Sequence, residues 1–481
     1  MIWKKQEESL MTEVAWYDEV LKRKDEMLEE LKEFLAIESV LDEADSGLGA
    51  PFGRKIAEAL EYMLKLGERD GFKTKNVDGY AGHIEYGEGE ELIGVLAHVD
   101  VVPAGDGWTS PPFAPEIRDG KLYARGAIDD KGPAMAAYFA LKIVKELGLP
   151  LSKRARLILG GDEESQWRCM AHYFEREEMP TMGFSPDADF PIISAEKGLL
   201  DLRFAGTNEK SEAKDGEWKL VQFKAGQRVN VVPDLAEVKL AGEGDVFELK
   251  EKVQDFLLTH RIQGYAEEGN EGVTISIKGR AHHGSEPEKG LNAALEMARL
   301  LAAIPLDSAG RQFIETINRY LVDSFFGEKL GIAMEDEFTG RLTVNAGIFS
   351  YEAEGERMIR LNVRYPKSGE GEKICEAIEE KLADDHFRIT EIDHKPAHFV
   401  EPDHSLIRIL SKVYEEQTGE KAELLAIGGG TYARVLDVGV AFGPLFKGRE
   451  ETAHQRDEHI VVEDLLKATA IYAQAIYELA K

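Results

Sequence analysis

Apolar positions first recur at helical spacing across Val20, Leu21, Lys24, Met27, Leu28, Leu31, Phe34 and Leu35, where only Lys24 breaks the stripe. Beyond it, short apolar runs alternate with longer helical ones. Leu92–Ala97 (LIGVLA) reads as a buried strand, and Pro133–Leu147 as a helix with proline in its first turn. Ala155–Leu159 and the short Ile192–Ser194 are further strands. Strand alternating with helix predicts an α/β layer on a largely parallel sheet. From about Gly198 the texture changes. LLDLRFAG, KLVQFKAG, AEVKLAG and VTISIKG read as antiparallel strands, with glycine turns between several of them. Helical patterns follow at Leu291–Ile304 and Arg311–Leu321, then strands in RLTVNAGIFSYEAEG and RMIRLNVRYP. The segments QRVNVVPDLAEVKL and RLTVNAGIFSYEAEGERMIRLNVRY look like two versions of one strand-turn-strand theme, which hints at an internal duplication. Near Pro396 the α/β texture returns, with a helix at Ser405–Glu416, a strand at Val438–Phe442 and a helix at Glu463–Leu479. The pattern predicts an α/β domain in two parts, residues 1–197 and 398–481, interrupted by an α+β insertion at 198–397 with two strand-rich halves.

Composition narrows what such a chain can do. It has 481 residues, 43% of them hydrophobic, enough for real cores. Asp and Glu number 90 against 59 Lys and Arg, a net charge of −31, which argues against binding nucleic acid or an anionic membrane. Two cysteines, Cys169 and Cys375, are too few for a disulfide scaffold. The start, MIWKKQEESLMTEVAW, is broken by charges and carries no signal-peptide core, and no run approaches the length of a membrane span. A cytoplasmic globular protein is expected.

Candidate chemistry sits just past the predicted strands. His98 and Asp100, in GVLAHVDVVPAGDGW, lie two residues apart and project to one side, at the edge where open α/β sheets keep their ligand crevice. Asp129 and Asp130 lie between a glycine turn and the helix that Pro133 marks; helix capping is the plain alternative for them. The strand in LILGGDEESQW empties into Asp162, Glu163 and Glu164, three acids that repel one another unless a cation or solvent offsets them. Asp187 follows in SPDADFP, with Asp189 two positions on, and His454 in GREETAHQRDEHI. Taken together, His98, Asp129, Glu164, Asp187 and His454 each fall beyond a strand of one domain. Two imidazoles and three carboxylates suit a pair of borderline divalent ions with one carboxylate bridging.

HVDVVPAGDGW, RGAIDDKGP, GGDEES, SPDADFP, GRAHHGSEPEKGLNAA and IGGGTYAR, in this order, resemble the co-catalytic zinc peptidases that include carboxypeptidase G, aminoacylase and carnosinase. The nearest resemblance is to the PepV-type Xaa-His dipeptidases, and it runs from about residue 15 to the end. It implies a phosphorylase/hydrolase-like catalytic domain with a lid inserted in it. It also implies one ion at His98, Asp129 and Asp187, and a second at Asp129, Glu164 and His454. Zinc would be the default, with manganese or cobalt possible. Glu163 would be the general base, and Asp100 would orient His98 from behind. In the insertion, His283 would polarise the scissile carbonyl; it is preferred over His282 for its spacing to Gly284, Ser285 and Pro287. Asn230 and Arg364 would hold the substrate carboxylate, Arg364 bidentately. The implied substrates are small dipeptides, and the doubled lid implies a monomer.

Within the same resemblance, an N-acyl amino-acid deacylase would use identical chemistry. Outside it stand an inactive peptide- or metal-binding relative and an acidic interaction protein with no active site. His83, His172, His260, His386, His394 and His404 read as surface or packing residues without supporting neighbours, His459 as exposed, and Cys169 as buried and inert.

Overall fold

A computed structural model describes residues 14–206 and 216–481 of the chain. Most of the opening stretch read for a signal peptide lies outside them. The chain divides into two compact units. One takes the described residues up to Ser194, together with Val400–Leu425 and Gly430–Lys481; the other takes Ala195–Phe399 and Ala426–Gly429.

The first unit is built on a mixed sheet. Seven of its strands are β1 (Lys73–Val77), β2 (Ala81–Tyr86), β3 (Leu92–His98), β4 (Arg154–Gly160), β5 (Met182–Ser185), β6 (Ile192–Glu196) and β7 (Gly439–Ala441). They pair in the order β1-β2-β4-β3-β5-β7-β6. The central four, β4, β3, β5 and β7, are parallel, while β1, β2 and β6 run antiparallel at the edges. Every residue of β3 is buried, as a strand covered on both faces demands. Because the central strands are parallel, their carboxyl ends share one edge: His98 stands opposite Gly160 in register.

Three helices matter for the site: α1 (Lys24–Leu35), α2 (Lys131–Glu146) and α3 (Val462–Ala480). Helix α2 is buried from Lys131 to Val144, and its many alanines let it lie close to its neighbours. Burying Phe139, Leu141, Ile143 and Val144 contributes about 1.5–3 kcal/mol for each side chain. Glycine at 132 is required: a Cβ there would lie 2.0 Å from the Ala127 carbonyl oxygen, so only glycine lets α2 begin directly beneath the Asp129 loop. Lys131, fully buried, donates from Nζ to the carbonyls of Phe34 (3.1 Å) and Ile37 (2.6 Å) and so closes the end of α1.

The single helix expected across residues 20–35 is two, Trp16–Leu21 and α1. The break falls at Arg23, whose guanidinium bonds the Glu19 carbonyl at 2.7 Å and the Glu146 carboxylate at 2.7 Å.

The second unit is an antiparallel sheet of eight strands. In spatial order they are Gln263–Gly269, Gly272–Lys278, Leu235–Gly242, Trp218–Ala225, Thr343–Glu352, Arg357–Tyr365, Gly198–Gly206 and Phe387–Lys395. Strand Gly198–Gly206 buries Leu200, Leu202 and Phe204 and turns the residues between them outward. The buried face forms a core with the helices Ala293–Leu301, Ser308–Tyr320 and Gly371–Ala383. Two halves are visible. Trp218–Ala225 and Thr343–Glu352 meet antiparallel at the centre, with Ala225 opposite Phe349, and each is followed outward by its own hairpin partner. In both halves the chain then forms a helix (Val246–His260 or Gly371–Ala383) and returns as the outermost strand. The first repeat therefore begins at Trp218. Residues 227–234, read as its first strand, are a connection whose only strand pairing among the described residues is the isolated bridge of Val231 with His283.

Candidate metal centre

His98 ends β3, and its orientation is set on three sides. Its main-chain N–H donates to Asp130 Oδ2 at 3.1 Å, and its ring Nδ1 lies 2.9 Å from the Asp100 carbonyl oxygen, with Asp100 Oδ1 at 3.4 Å. A carbonyl oxygen can only accept, so Nδ1 carries a proton, and Nε2 is the ring nitrogen turned toward the acids. Nε2 is 3.0 Å from Asp129 Oδ1 and 3.8 Å from Asp187 Oδ2. The other oxygen of the same carboxylate, Asp129 Oδ2, is 2.9 Å from His454 Nε2, which lies equally 2.9 Å from Glu164 Oε1. Asp129 thus stands between two imidazole nitrogens, one at each oxygen. Donor atoms of His98, Glu163 and Asp187, and likewise of His98, Asp129 and Glu164, fall within 4.8 Å of one another. All five proposed ligands and Glu163 are brought together.

The three consecutive acids divide their work. Asp162, buried, accepts from the Arg168 main-chain N–H (3.0 Å) and Nε (2.9 Å) and from the Ser165 hydroxyl, closing the turn. Asp100 accepts from the main-chain N–H groups of Glu163 (3.2 Å) and Glu164 (3.1 Å). One carboxylate therefore braces both the His98 ring and the backbone of the two acids facing it, a wider role than orienting His98 alone.

Electrostatics mark the site as built for positive charge. Burial pushes the Glu163 carboxyl up to about 8; His98 partly offsets this, and Glu164 and Asp129 add to it. Burial, then Asp130 and Asp129, holds Asp187 well above the usual carboxylate range, and burial with Asp129 raises Glu164. Burial works against charging either histidine, yet hydrogen bonds to Asp100 and Asp129 hold His98 well above its ordinary value. Bonds to Asp129 and Glu164 likewise bring His454 up to about 11. Asp129 is depressed despite its burial, by His454 and His98. So many buried acids facing two imidazoles form a donor set that fits divalent cations bound by nitrogen and carboxylate oxygen.

Asp130 was missed as a site residue. It occupies the position before α2 but makes no capping bond with its side chain; it accepts from His98, and its Oδ1 has no partner among the described residues. Its adjacency to Asp129 is the only signal the sequence offered. Tyr432 lies buried with its ring edge-on to His98 at 6.3 Å, and its hydroxyl is 2.8 Å from Cys169 Sγ. Burial pushes the Cys169 thiol up to about 12, so it is no nucleophile.

In the second unit, His283 Nδ1 lies 2.6 Å from the Ser285 hydroxyl and Nε2 3.4 Å from Arg364 Nη2. Arg364, only 4% exposed, donates from Nε to Asn362 Oδ1 (2.9 Å) and from Nη1 to the Gly428 carbonyl (2.5 Å). Asn230 is tied in through its carbonyl, which accepts from Gly284 N–H at 2.7 Å. His283, Asn230 and Arg364 are thereby neighbours, whereas His282 Nδ1 is buried without a partner among the described residues.

Several histidines read as lacking neighbours have structural ones. His83 is buried and accepts from the Tyr173 hydroxyl at 2.8 Å, and His172 stacks on Tyr80 at 3.8 Å. His260 stacks on Phe256, His394 bonds the Tyr365 hydroxyl, and His404 caps the helix Ser405–Thr418. His459 is half-buried in a strand, not exposed, because it pairs with Tyr123. Among the described residues no helix is long and apolar enough to cross a membrane.

The profile of Peptidase family M20/M25/M40 matches residues 94–478. The chain is 49% identical to the Bacillus subtilis (strain 168) protein named "Putative dipeptidase YtjP", over 97% of this chain and 100% of that one. Among solved structures, human carnosine dipeptidase 1 superposes with a TM-score of 0.57 at 15% identity, covering 96% of this chain and 98% of that one. The dipeptidase Dug1p from Saccharomyces cerevisiae gives 0.57 at 14%, with 96% and 98% covered. At such identities the two structures show the shared fold.

Proposed function

The chain belongs to Peptidase family M20/M25/M40 and is a hydrolase acting on peptide bonds, and from that premise we propose that it is a two-metal dipeptidase cleaving unblocked dipeptides. The observation that carries the metal reading is the Asp129 carboxylate with one oxygen at His98 and the other at His454. On this reading His98, Asp129 and Asp187 hold one ion, and Asp129, Glu164 and His454 the other; the donors suit zinc, and also manganese or cobalt. Divalent ions held there supply Lewis acidity, lowering the pKa of a water and offsetting the carboxylate charge. Glu163 takes the proton of the attacking water on its carboxylate and returns it to the leaving amine nitrogen. Asp100 keeps that carboxylate in place through the Glu163 main-chain N–H. His283 is assigned to the substrate carbonyl, and Asn230 and Arg364 to its terminal carboxylate, a grip that would measure the substrate from its C-terminal end.

Relatives named as dipeptidases over the full chain length support the substrate class. Two buried, unpaired cysteines suit the reducing cytoplasm. A monomer is supported by the two halves of the second unit pairing with each other within one chain. The test is hydrolysis of Ala-His, Leu-Gly, β-Ala-His, Leu-Gly-Gly and N-acetyl- and N-succinyl-amino acids, each with added zinc, manganese or EDTA. Cleavage of free dipeptides that EDTA abolishes is expected. Cleavage confined to the acylated compounds would make the protein a deacylase using the same ligands, and EDTA-resistant cleavage would refute the metal reading.

A further inference from the structure

Behind the bridging aspartate lies an ion pair that no part of the proposed reaction uses. Arg125 and Glu458 are 1% and 0% exposed, and Arg125 Nη1 donates to Glu458 Oε2 at 2.5 Å. The other carboxylate oxygen, Oε1, accepts from the main-chain N–H of Ile128 (3.0 Å) and of Asp129 itself (3.2 Å). Arg125 Nη2 reaches the carbonyls of Pro103 (3.4 Å) and Ala104 (3.3 Å), and its guanidinium lies 5.2 Å from the centre of the Trp108 ring. Glu458 follows His454 by four residues, and its carbonyl accepts from Ala124 N–H at 3.1 Å. The adjacent Asp457 takes the main-chain N–H and the hydroxyl of Thr109, each at 2.8 Å.

Three stretches of chain meet at this pair: the loop that follows His98 and Asp100, the turn that carries Asp129, and the loop that carries His454. Each brings a proposed ligand from a distant part of the sequence. A buried ion pair seldom stabilises more than apolar residues of the same size would, so its retention here calls for a positional reason. Its bonds supply one, since a carboxylate that grips two successive amides fixes the backbone from which the Asp129 side chain projects.

We propose that Arg125 and Glu458 are positioning residues that hold the Asp129 backbone, and thereby set the affinity of the metal centre. The inference rests on the two-metal reading. Groups that orient ligands typically control metal affinity by 10–100-fold. The experiment is zinc titration of the metal-stripped full chain against a competing chelator, together with the visible absorption spectrum of the cobalt-loaded chain. Two charge-free doubles of similar volume are compared with wild type. Arg125→Met with Glu458→Gln retains an oxygen that can accept from the Ile128 and Asp129 amides; Arg125→Met with Glu458→Met removes it.

The Met/Met double is expected to bind zinc 10–100-fold more weakly with an altered cobalt spectrum, while the Met/Gln double, which keeps the contact to the two amides and lacks those of the guanidinium, loses only several-fold. Equal, wild-type affinities and spectra in both doubles would overturn the inference. Where the Met/Met double does not fold, Arg125→Lys takes its place. It keeps the charge pair and withdraws only the bonds to Pro103 and Ala104, so a several-fold loss is expected and an unchanged affinity overturns the proposal. Wild-type protein that binds neither metal would instead refute the two-metal reading itself.

Discussion

Glu163 and Glu164 are neighbours in sequence with different proposed work, and substitution separates them. Glu163→Gln preserves the size of the side chain and removes its basicity. Turnover of a dipeptide is expected to fall by about 10²–10⁴-fold, the range of a lost general base, with two zinc ions per chain retained by elemental analysis. A variant with wild-type kcat would end the base assignment. A second residue-scale expectation concerns His83, whose imidazole burial, with Arg156 and Lys75 nearby, pushes down to about 3. The folded state keeps His83 neutral, whereas the unfolded chain protonates it near 6.5, so stability is present above that pH and lost as pH falls through and below it. Between pH 7 and 5 the loss is about 2 kcal/mol, at 1.36 kcal/mol per pH unit below 6.5. His83→Gln can still accept from Tyr173 and cannot titrate, so denaturant melts at the two pH values should show a smaller drop; an equal drop would contradict the assignment. At this scale the residues that cluster were legible because each His or acid was read just beyond a predicted strand. The separate tasks of Asp129 and Asp130, or of Asp162 and Glu163, were not, since only tertiary structure decides where adjacent side chains point.

Elements were legible where a period ran uninterrupted and misread where a local bond cut across it. The strands Leu92–His98 and Arg154–Gly160 contain the spans read from their apolar runs. The apolar stripe at residues 20–35 continues through the break at Arg23, because both helices bury the same kind of face and only the arginine's bonds to Glu19 and Glu146 mark the stop. Helix ends follow capping chemistry more than periodicity. The helix expected from Leu291 starts at Ala293 because Asn292 accepts from the N–H groups of Ala294 (3.0 Å) and Leu295 (3.3 Å). Asn292 also donates to the Ala346 carbonyl at 2.8 Å and so fastens this helix to a central strand of the second unit. Asn292→Ala should therefore cost about 1–2 kcal/mol, a cap together with an unpaired buried carbonyl, read as a lowered midpoint in urea. A midpoint within error of wild type would mean that the helix start is held by packing alone.

Over the whole molecule, the antiparallel sheet of the second unit was legible as a change from apolar runs to alternating strands, whereas the central pairing of its two halves is a long-range choice that no local pattern encodes. The charge of −31 bears on the same scale. A chain so acidic already repels itself, and the first unit gathers Asp129, Glu163, Glu164 and Asp187 into one half-buried cluster. Two imidazoles offset part of that repulsion, and bound cations would offset more. Ligand that binds only the folded state stabilises it by RT ln(1 + [L]/Kd), about 2.7 kcal/mol for each site at a hundredfold excess over Kd. EDTA should therefore lower the melting temperature, and zinc or manganese should restore it in proportion to the logarithm of its concentration. Sodium chloride would act differently, since screening weakens repulsion between exposed acids far more than between buried ones. The control that separates the two is Asp129→Ala, which removes the carboxylate proposed to be shared by both ions: its melting temperature should rise with salt as in wild type and lose its response to zinc. A variant whose zinc response matches wild type would show that the ions stabilise the protein at some place other than the cluster around Asp129.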